Sequence, residues 1–289
     1  PAPPRVAPPP PGASTPAAVA CRTSPAPSRC RRVMYFSAED VGHFDAMMYT
    51  WKSAVRVIVV TDGSRILGLG DLGAQRMGIS VGKLHLYVAG AGIDPGCVLP
   101  CVLDVGTDNQ KLLDDPYYFG LQQRRLKGEE YVAVVDEFIQ AVKNRWPDAL
   151  VQFEDFATEH AMPILKRHRS NILCFNDDIQ GTAVVVLAGI YGAMAAQGKP
   201  PSAITEQVFT LCGAGSAGMG IANFLHSAMV HHGLTPEEAY SRFSVIDHDG
   251  LVTSNGALDP DAPGVADLRP FAATRSGETT AGGTDQQEG

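Results

Sequence analysis

A chain of 289 residues, 45% of them hydrophobic, is long enough for two domains and a sizeable core. Its formal net charge of -8 argues against nucleic acid as a partner, and its apolar runs read as too short or too interrupted to span a bilayer. Six cysteines without finger or disulfide-framework spacing read as reduced thiols of an intracellular protein, cytoplasmic or organellar.

Pro1 to Arg32 is rich in Pro, Ala, Ser and Arg and holds no acid, so residues 1–32 read as a disordered extension that cannot bury enough surface to fold alone. A basic, acid-poor segment fits the remains of a mitochondrial or plastid transit peptide, its proline density fits one badly, and an unstructured extension or a misread exon fits equally. From Tyr35 to Trp51, Phe36, Val41, Phe44, Met47 and Met48 recur at helical spacing, and Ser37 with Asp40 resembles a capping box. Val55 to Thr61 is β-branched, ends at Asp62-Gly63 and reads as a buried strand; Ile66 to Gly70 reads as a second, short one. A helix is expected over Val81 to Ala91, a strand over Cys97 to Val105 and an amphipathic helix over Glu129 to Asn144.

Leu150-Val151-Gln152-Phe153 reads as a strand that delivers Glu154-Asp155 at its carboxyl end, boxed between Phe153 and Phe156. A second acid pair, Asp177-Asp178, precedes an apolar helix expected over Ala183 to Ala196. Such a pair can cap the helix that follows it. Four carboxylates in apolar surroundings are costly unless a cation satisfies them, and together they favour Mg²⁺ or Mn²⁺ on oxygen ligands.

Gln207 to Leu211 reads as a strand running into Gly213-Ala214-Gly215-Ser216-Ala217-Gly218 and then a helix over Met219 to Val230. That strand-turn-helix setting gives a GxGxxG pattern its meaning: the glycines let a dinucleotide pyrophosphate reach the helix amino end. The expected contacts are Gly213, Gly215, Ser216 and Gly218. Asp247, ending the strand Phe243 to Ile246, is placed to reach a ribose hydroxyl, and Thr235 to Ser241 reads as an extension of the intervening helix. A tight turn with no ligand is the plain alternative. Strands alternating with helices predict an α/β fold: a three-layer domain over residues 33–176, an incomplete Rossmann-type domain over 177–272 and a disordered tail over 273–289.

Thr61 to Gly73, Phe153-Glu154-Asp155-Phe156, Phe175 to Thr182 and the Gly213 to Gly218 loop occur in this order, and the set strongly resembles the malic enzymes from about Met34 to about Phe271. The resemblance implies oxidation of (S)-malate by NAD⁺ or NADP⁺ with loss of CO₂, giving pyruvate, and a bound Mn²⁺ or Mg²⁺. It implies Glu154, Asp155 and Asp178 as metal ligands, Arg65 on a malate carboxylate, Lys83 as the base for the hydroxyl proton and Asp177 as its orienting partner. A lysine acts as a base only where a cation or desolvation lowers its pKa. Without the resemblance, Lys83 and Arg65 read as surface residues. Family members are dimers or tetramers, so a homo-oligomer fits; neither nucleic acid nor membrane is an expected partner.

The chain also departs from the family. The family's acid, a tyrosine in a Tyr-Thr-Pro-Thr-Val-Gly segment, lies upstream of the likeness, where this sequence is proline-rich; Tyr35, Tyr49 and Tyr87 stand in other contexts. Arg76 occupies a position usually held by glycine, where it is expected to crowd the site or lift the backbone. The later segments Leu-Ser-Asn-Pro and Ala-Ser-Gly-Ser-Pro-Phe are missing, so the chain reads as truncated at both ends and turnover is expected to be weak. The alternative function is a catalytically impaired fragment that keeps metal or nucleotide binding and acts as a binding or assembly partner.

Overall fold

The computed structural model describes residues 33–51, 54–66, 69–247, 250–252 and 269–272; the expected extension and tail lie outside these residues. The chain divides into two compact units. The first runs to Asp155 and takes in Asn171–Leu173; the second comprises Phe156–Ser170 and the chain from Cys174 onward.

In the first unit the elements are β1 (Met34–Ser37), α1 (Phe44–Met48), β2 (Val57–Thr61), α2 (Met77–Ala91), β3 (Val98–Asp104), α3 (Gln110–Leu113), α4 (Gly128–Arg145) and β4 (Leu150–Phe153). The strands run parallel in the order β1-β3-β2-β4. Alternation along a strand sends successive side chains to opposite faces. Val57 and Val59 meet Leu84 and Tyr87 of α2 on one face. Phe36 lies in register with Leu103, one residue off that set, and packs edge-on against Phe44 of α1 and Phe138 of α4. The sheet is therefore the middle of three layers, as expected.

Two local expectations fail here. Met34–Ser37 is a strand, not the start of a helix; with Phe36 counting for either period, its pairing with β3 decides the outcome. Ser37 does cap the 3-10 turn that follows, accepting from Glu39 N. The second short strand expected over Ile66 to Gly70 is not seen at its ends, where Ile66 and Gly70 form an isolated antiparallel bridge and Leu69 N and Gly70 N both donate to Ile66 O; Leu67 and Gly68 lie outside the described residues.

The second unit contains α5 (Thr158–His168), which the sequence reading passed over, then β5 (Cys174–Asn176), α6 (Thr182–Ala196), β6 (Phe209–Cys212), α7 (Ser216–His231), α8 (Pro236–Tyr240), β7 (Phe243–Asp247) and β8 (Gly250–Leu251). β6 pairs parallel with β7, and β7 turns antiparallel into β8. Among the described residues, this strand-helix-strand unit with its hairpin strand is the Rossmann-type arrangement expected. Met194, Ile204, Met219, Ala222, Leu225, Met229, Val245 and Phe271 form its core. α8 is not an extension of α7: Gly233, at φ 110°, ends α7, and Thr235 with Glu238 forms a capping box for a new helix.

The expectation that no run could span a bilayer also needs correction. Asp177–Ala196 is a continuous 20-residue helical stretch of mean hydropathy 1.6, long and apolar enough by length and composition, and 17% of that window is buried. Its length is disguised by the lead-in Asp177-Asp178-Ile179-Gln180, in which Asp177, Asp178 and Gln180 are polar. Those two properties alone do not separate a membrane span from a domain helix, and α6 packs on α7 in the same unit.

Candidate functional site

β4 hands the chain to Glu154, whose backbone N–H still donates to Val60 O at 2.9 Å. Asp155 then takes φ 56°, the left-handed region that Asp tolerates better than most residues; among the described residues it is the only non-glycine there. This bend leaves both carboxylates buried at the carboxyl end of the parallel strands. Across from them, Ser80, Val81 and Leu84 form the buried stripe of α2, and Ser80 Oγ donates to Cys101 O at 2.9 Å, tying the helix to β3. Lys83 therefore projects beside the stripe, and its Nζ lies 3.0 Å from Glu154 Oε1. Glu154 Oε2 accepts from Gln152 Nε2 at 2.6 Å, and Gln152 Oε1 accepts from the Tyr87 hydroxyl.

Arg65 is exposed, and its backbone N–H donates to Asp155 O at 3.2 Å. The loop that carries Arg65 is fixed at both ends. Asp62 accepts from Tyr131 Oη at 2.7 Å and from the N–H and hydroxyl of Ser64. Asp71 accepts from Arg125 Nε at 2.6 Å and Nη2 at 2.8 Å, from Thr107 Oγ1 at 2.9 Å and from Asp108 N at 2.7 Å. Burial pushes the Asp71 carboxyl up, but the Arg125 guanidinium, with Asp108 N–H and Thr107, outweighs it and holds the group below its ordinary value. Arg125 moves the opposite way: burial would lower it, and Asp71 and Asp62 raise it further. Gly63 is required because a Cβ there would meet Gly73 O at 2.2 Å. Beside this loop, burial pushes the Tyr118 phenol up to about 12, although Ala74 N–H donates to its oxygen. Arg76 takes φ -93°, a conformation that does not require glycine.

In the second unit Asn176, not an acid, is the cap: its Oδ1 accepts from Ile179 N at 3.1 Å, and its own N–H donates to Gln180 Oε1. The capping alternative for Asp177 and Asp178 is thereby overturned. A π-turn over Asp177–Gly181 carries both acids, half-buried, and a Cβ at Gly181 would lie 1.9 Å from Asp177 Oδ1. Around this turn Phe175, Asp177, Gln180, Val185 and Phe224 line an open hollow of about 660 Å³.

The glycine loop has the expected shape. Gly213 takes φ 111°, and its N–H donates to Ile246 O at 2.7 Å. Gly215 is extended, and Ser216 begins the 16-residue α7. A Cβ at Gly218 would lie 2.0 Å from Gly213 O, so only glycine lets helix and turn close. Ser216 Oγ is buried with no hydrogen-bond partner among the described residues, at the amino end of α7, where an anion is favoured. Asp247 is exposed at the end of β7, next in line to the residue that holds Gly213.

Of these residues, Glu154, Asp155, Lys83 and Arg65 belong to the first unit, and Asp177, Asp178, the glycine loop and Asp247 to the second. Sequence reasoning missed Gln152, Tyr87, Asp71 and Arg125. Gln152 did leave a signal, as the one polar residue in a strand otherwise Leu, Val and Phe.

Residues 11–169 match the family model for the malic enzyme N-terminal domain, and residues 179–265 match that for the malic enzyme NAD binding domain. The chain is 53% identical over 247 residues to the mitochondrial NAD-dependent malic enzyme of Solanum tuberosum, covering 83% of this chain and 38% of that protein. It is 51% identical over 226 residues to the NAD-dependent malic enzyme of Aeromonas hydrophila, covering 78% of this chain and 40% of that protein. A solved malic enzyme from Pyrococcus horikoshii superposes with TM-score 0.51 at 26% identity, over 82% of this chain and 47% of that one. The Entamoeba histolytica malic enzyme shares the fold, with TM-score 0.56 at 24% identity over 82% of this chain and 43% of that one. The chain thus spans about two fifths of the length of the curated relatives it matches. With one family model spanning more than half of its residues and a second following in order, the chain belongs to the malic enzyme family.

Proposed function

We propose that this chain carries the substrate, metal and nucleotide-binding parts of an NAD-dependent malic enzyme, which oxidises (S)-malate to pyruvate and CO₂ as NAD⁺ is reduced. The observation that carries the reading is the buried acid pair Glu154-Asp155 at the carboxyl end of β4, one acid paired with Lys83 and the other bent into the left-handed region. Ligands of parallel sheets bind beyond that end, and a strained backbone at buried acids is characteristic of a site.

The carboxylates of Glu154, Asp155 and Asp178 would hold Mn²⁺ or Mg²⁺, and the donor set fits, because hard oxygen ligands suit hard cations. Once bound, the ion supplies positive charge to offset the enolate that develops as CO₂ leaves. The guanidinium of Arg65 suits a malate carboxylate. Lys83 takes the proton from the C2 hydroxyl as hydride leaves C2, and Asp177 serves as the orienting carboxylate. For the dinucleotide, the partnerless Ser216 Oγ and the close approach at Gly218 support a pyrophosphate at the amino end of α7. The NAD-dependent, mitochondrial relatives favour NAD over NADP and a mitochondrial location for this chain.

Calorimetric titration with Mn²⁺ tests the reading. The parent should show one site, and Asp155→Ala should lose it. Malate should bind more tightly with Mn²⁺ present than without, by reciprocal linkage, and Arg65→Ala should weaken it. Parent-like Mn²⁺ affinity in Asp155→Ala would remove the metal assignment.

A further inference from the structure

We propose that Gln152 and Tyr87 are positioning residues that set the orientation of Glu154 and so the affinity of the site for a divalent cation; this rests on the metal reading above. Two residues of a strand advance about 6.6–6.8 Å and four residues of a helix about 6 Å. Gln152 lies on β4 and Glu154 stands two residues on, just past the strand's end, where its N–H still donates to Val60 O; Lys83 and Tyr87 are four apart on α2. The two repeats match closely enough to make two rungs between strand and helix. One is Lys83 Nζ to Glu154 Oε1 at 3.0 Å, and the other is the Tyr87 hydroxyl donating to Gln152 Oε1. A third bond, Gln152 Nε2 to Glu154 Oε2 at 2.6 Å, joins the rungs along the strand.

The chemistry of the amide fixes the direction of this chain of bonds. A carboxamide has one donor end and one acceptor end. If Gln152 flipped, its oxygen would face the Glu154 carboxylate, two acceptors in contact. Tyr87, donating to the oxygen, holds the unflipped form. Glu154 Oε2 is therefore occupied, and Oε1 is the oxygen turned toward Lys83. Gln152 is 0% exposed, and a buried amide left unpaired costs about 1–3 kcal/mol, so its two partners at once explain how apolar surroundings tolerate it. Hydrogen-bonded partners of metal ligands typically contribute 10–100-fold to metal affinity by fixing ligand orientation.

The test is Mn²⁺ titration of the full chain and three variants. Gln152→Leu should weaken binding by about 10–100-fold. Tyr87→Phe should weaken it by a few-fold, since it acts only through Gln152. Adding Tyr87→Phe to Gln152→Leu should produce no further loss, because the hydroxyl then has nothing to direct. A merely structural role would lower the melting temperature and leave the Mn²⁺ affinity of the folded protein unchanged. Tyr87→Phe keeps the ring that packs on Val57, Val59 and Leu84, so it decides alone if Gln152→Leu does not fold. Parent-like affinity in Tyr87→Phe and Gln152→Leu, or losses that add in the double variant, overturns the proposal. A parent that binds no Mn²⁺ overturns the metal reading and this proposal with it, whereas equal binding by parent and variants overturns this proposal alone.

Discussion

The loop from Asp62 to Gly73 and the loop from Gly213 to Gly218 each follow a parallel strand, and they are held by opposite means. The first is tied by side chains: Asp62 and Asp71 between them engage Arg125, Tyr131, Thr107 and Ser64. The second is shaped by the lack of side chains, with Gly213 at φ 111° and no room for a Cβ at Gly218. In the first loop the carboxylate of Asp71 is already satisfied from within the protein, which ties down the segment that carries Arg65. In the second the Ser216 hydroxyl is buried without a partner among the described residues, at a helix amino end where an anion is favoured. A loop that presents a side chain to a ligand needs rigidity from elsewhere, while one that presents backbone N–H groups needs clearance.

The first loop depends most on Arg125. Its side chain is 8% exposed and lies between Asp71 and Asp62. Removing one partner of a buried pair leaves the other charges uncompensated, at about 3–5 kcal/mol. Arg125→Met should lower the stability of the first unit by that amount. Urea unfolding followed by the fluorescence of Trp51 and Trp146, both in the first unit, would measure it. A loss under about 1 kcal/mol would mean that the tie is a solvated surface contact.

The glycine loop should answer to clearance and to one hydroxyl, separately. Gly218→Ala forces a Cβ against Gly213 O and should cost about 1–3 kcal/mol in stability as well as most of the NAD affinity. Ser216→Ala should leave stability unchanged, because the hydroxyl has no partner to lose, yet weaken NAD binding by about 5–10-fold, the value of one hydrogen bond of about 1–1.5 kcal/mol. Equal NAD affinity in parent and Ser216→Ala would show that the hydroxyl does not meet the ligand.

How much of this was legible beforehand follows the same division. Backbone-shaped features write themselves into sequence: the glycine loop was readable from Gly213, Gly215 and Gly218, β2, β3, β4, α6 and α7 from their apolar runs, and α4 from its amphipathic pattern. Side-chain ties do not. Arg125 stands 54 residues from Asp71 in a polar stretch with no periodicity, and nothing local separates it from Arg124, which is exposed. Lys83 was readable only through family resemblance, since its own helix marks it as a surface residue. Asn176 went unnoticed as the cap because two acids beside it looked better suited to the role.

The smallest effect concerns pH and isolates Asp71. Its folded-state carboxyl is held below the ordinary value of 3.8, with burial opposing and Arg125 prevailing. A carboxyl depressed in the folded state binds its proton more readily in the unfolded chain. Its contribution to stability is therefore fully present above about pH 4, and it is lost as pH falls from there through the lower folded value. Many carboxylates titrate in this range, so the useful quantity is the difference between parent and Asp71→Asn. That difference should be constant from pH 7 to about pH 5 and shrink below about pH 4, with a slope no steeper than about 1.4 kcal/mol per pH unit, the limit for one proton. Arg125→Met removes the cation responsible and leaves burial to push the carboxyl up, so in that background the effect of adding Asp71→Asn should no longer shrink below about pH 4. A gap between parent and Asp71→Asn that widens as pH falls would mean that Asp71 is raised rather than depressed, and that burial outweighs the guanidinium at this loop.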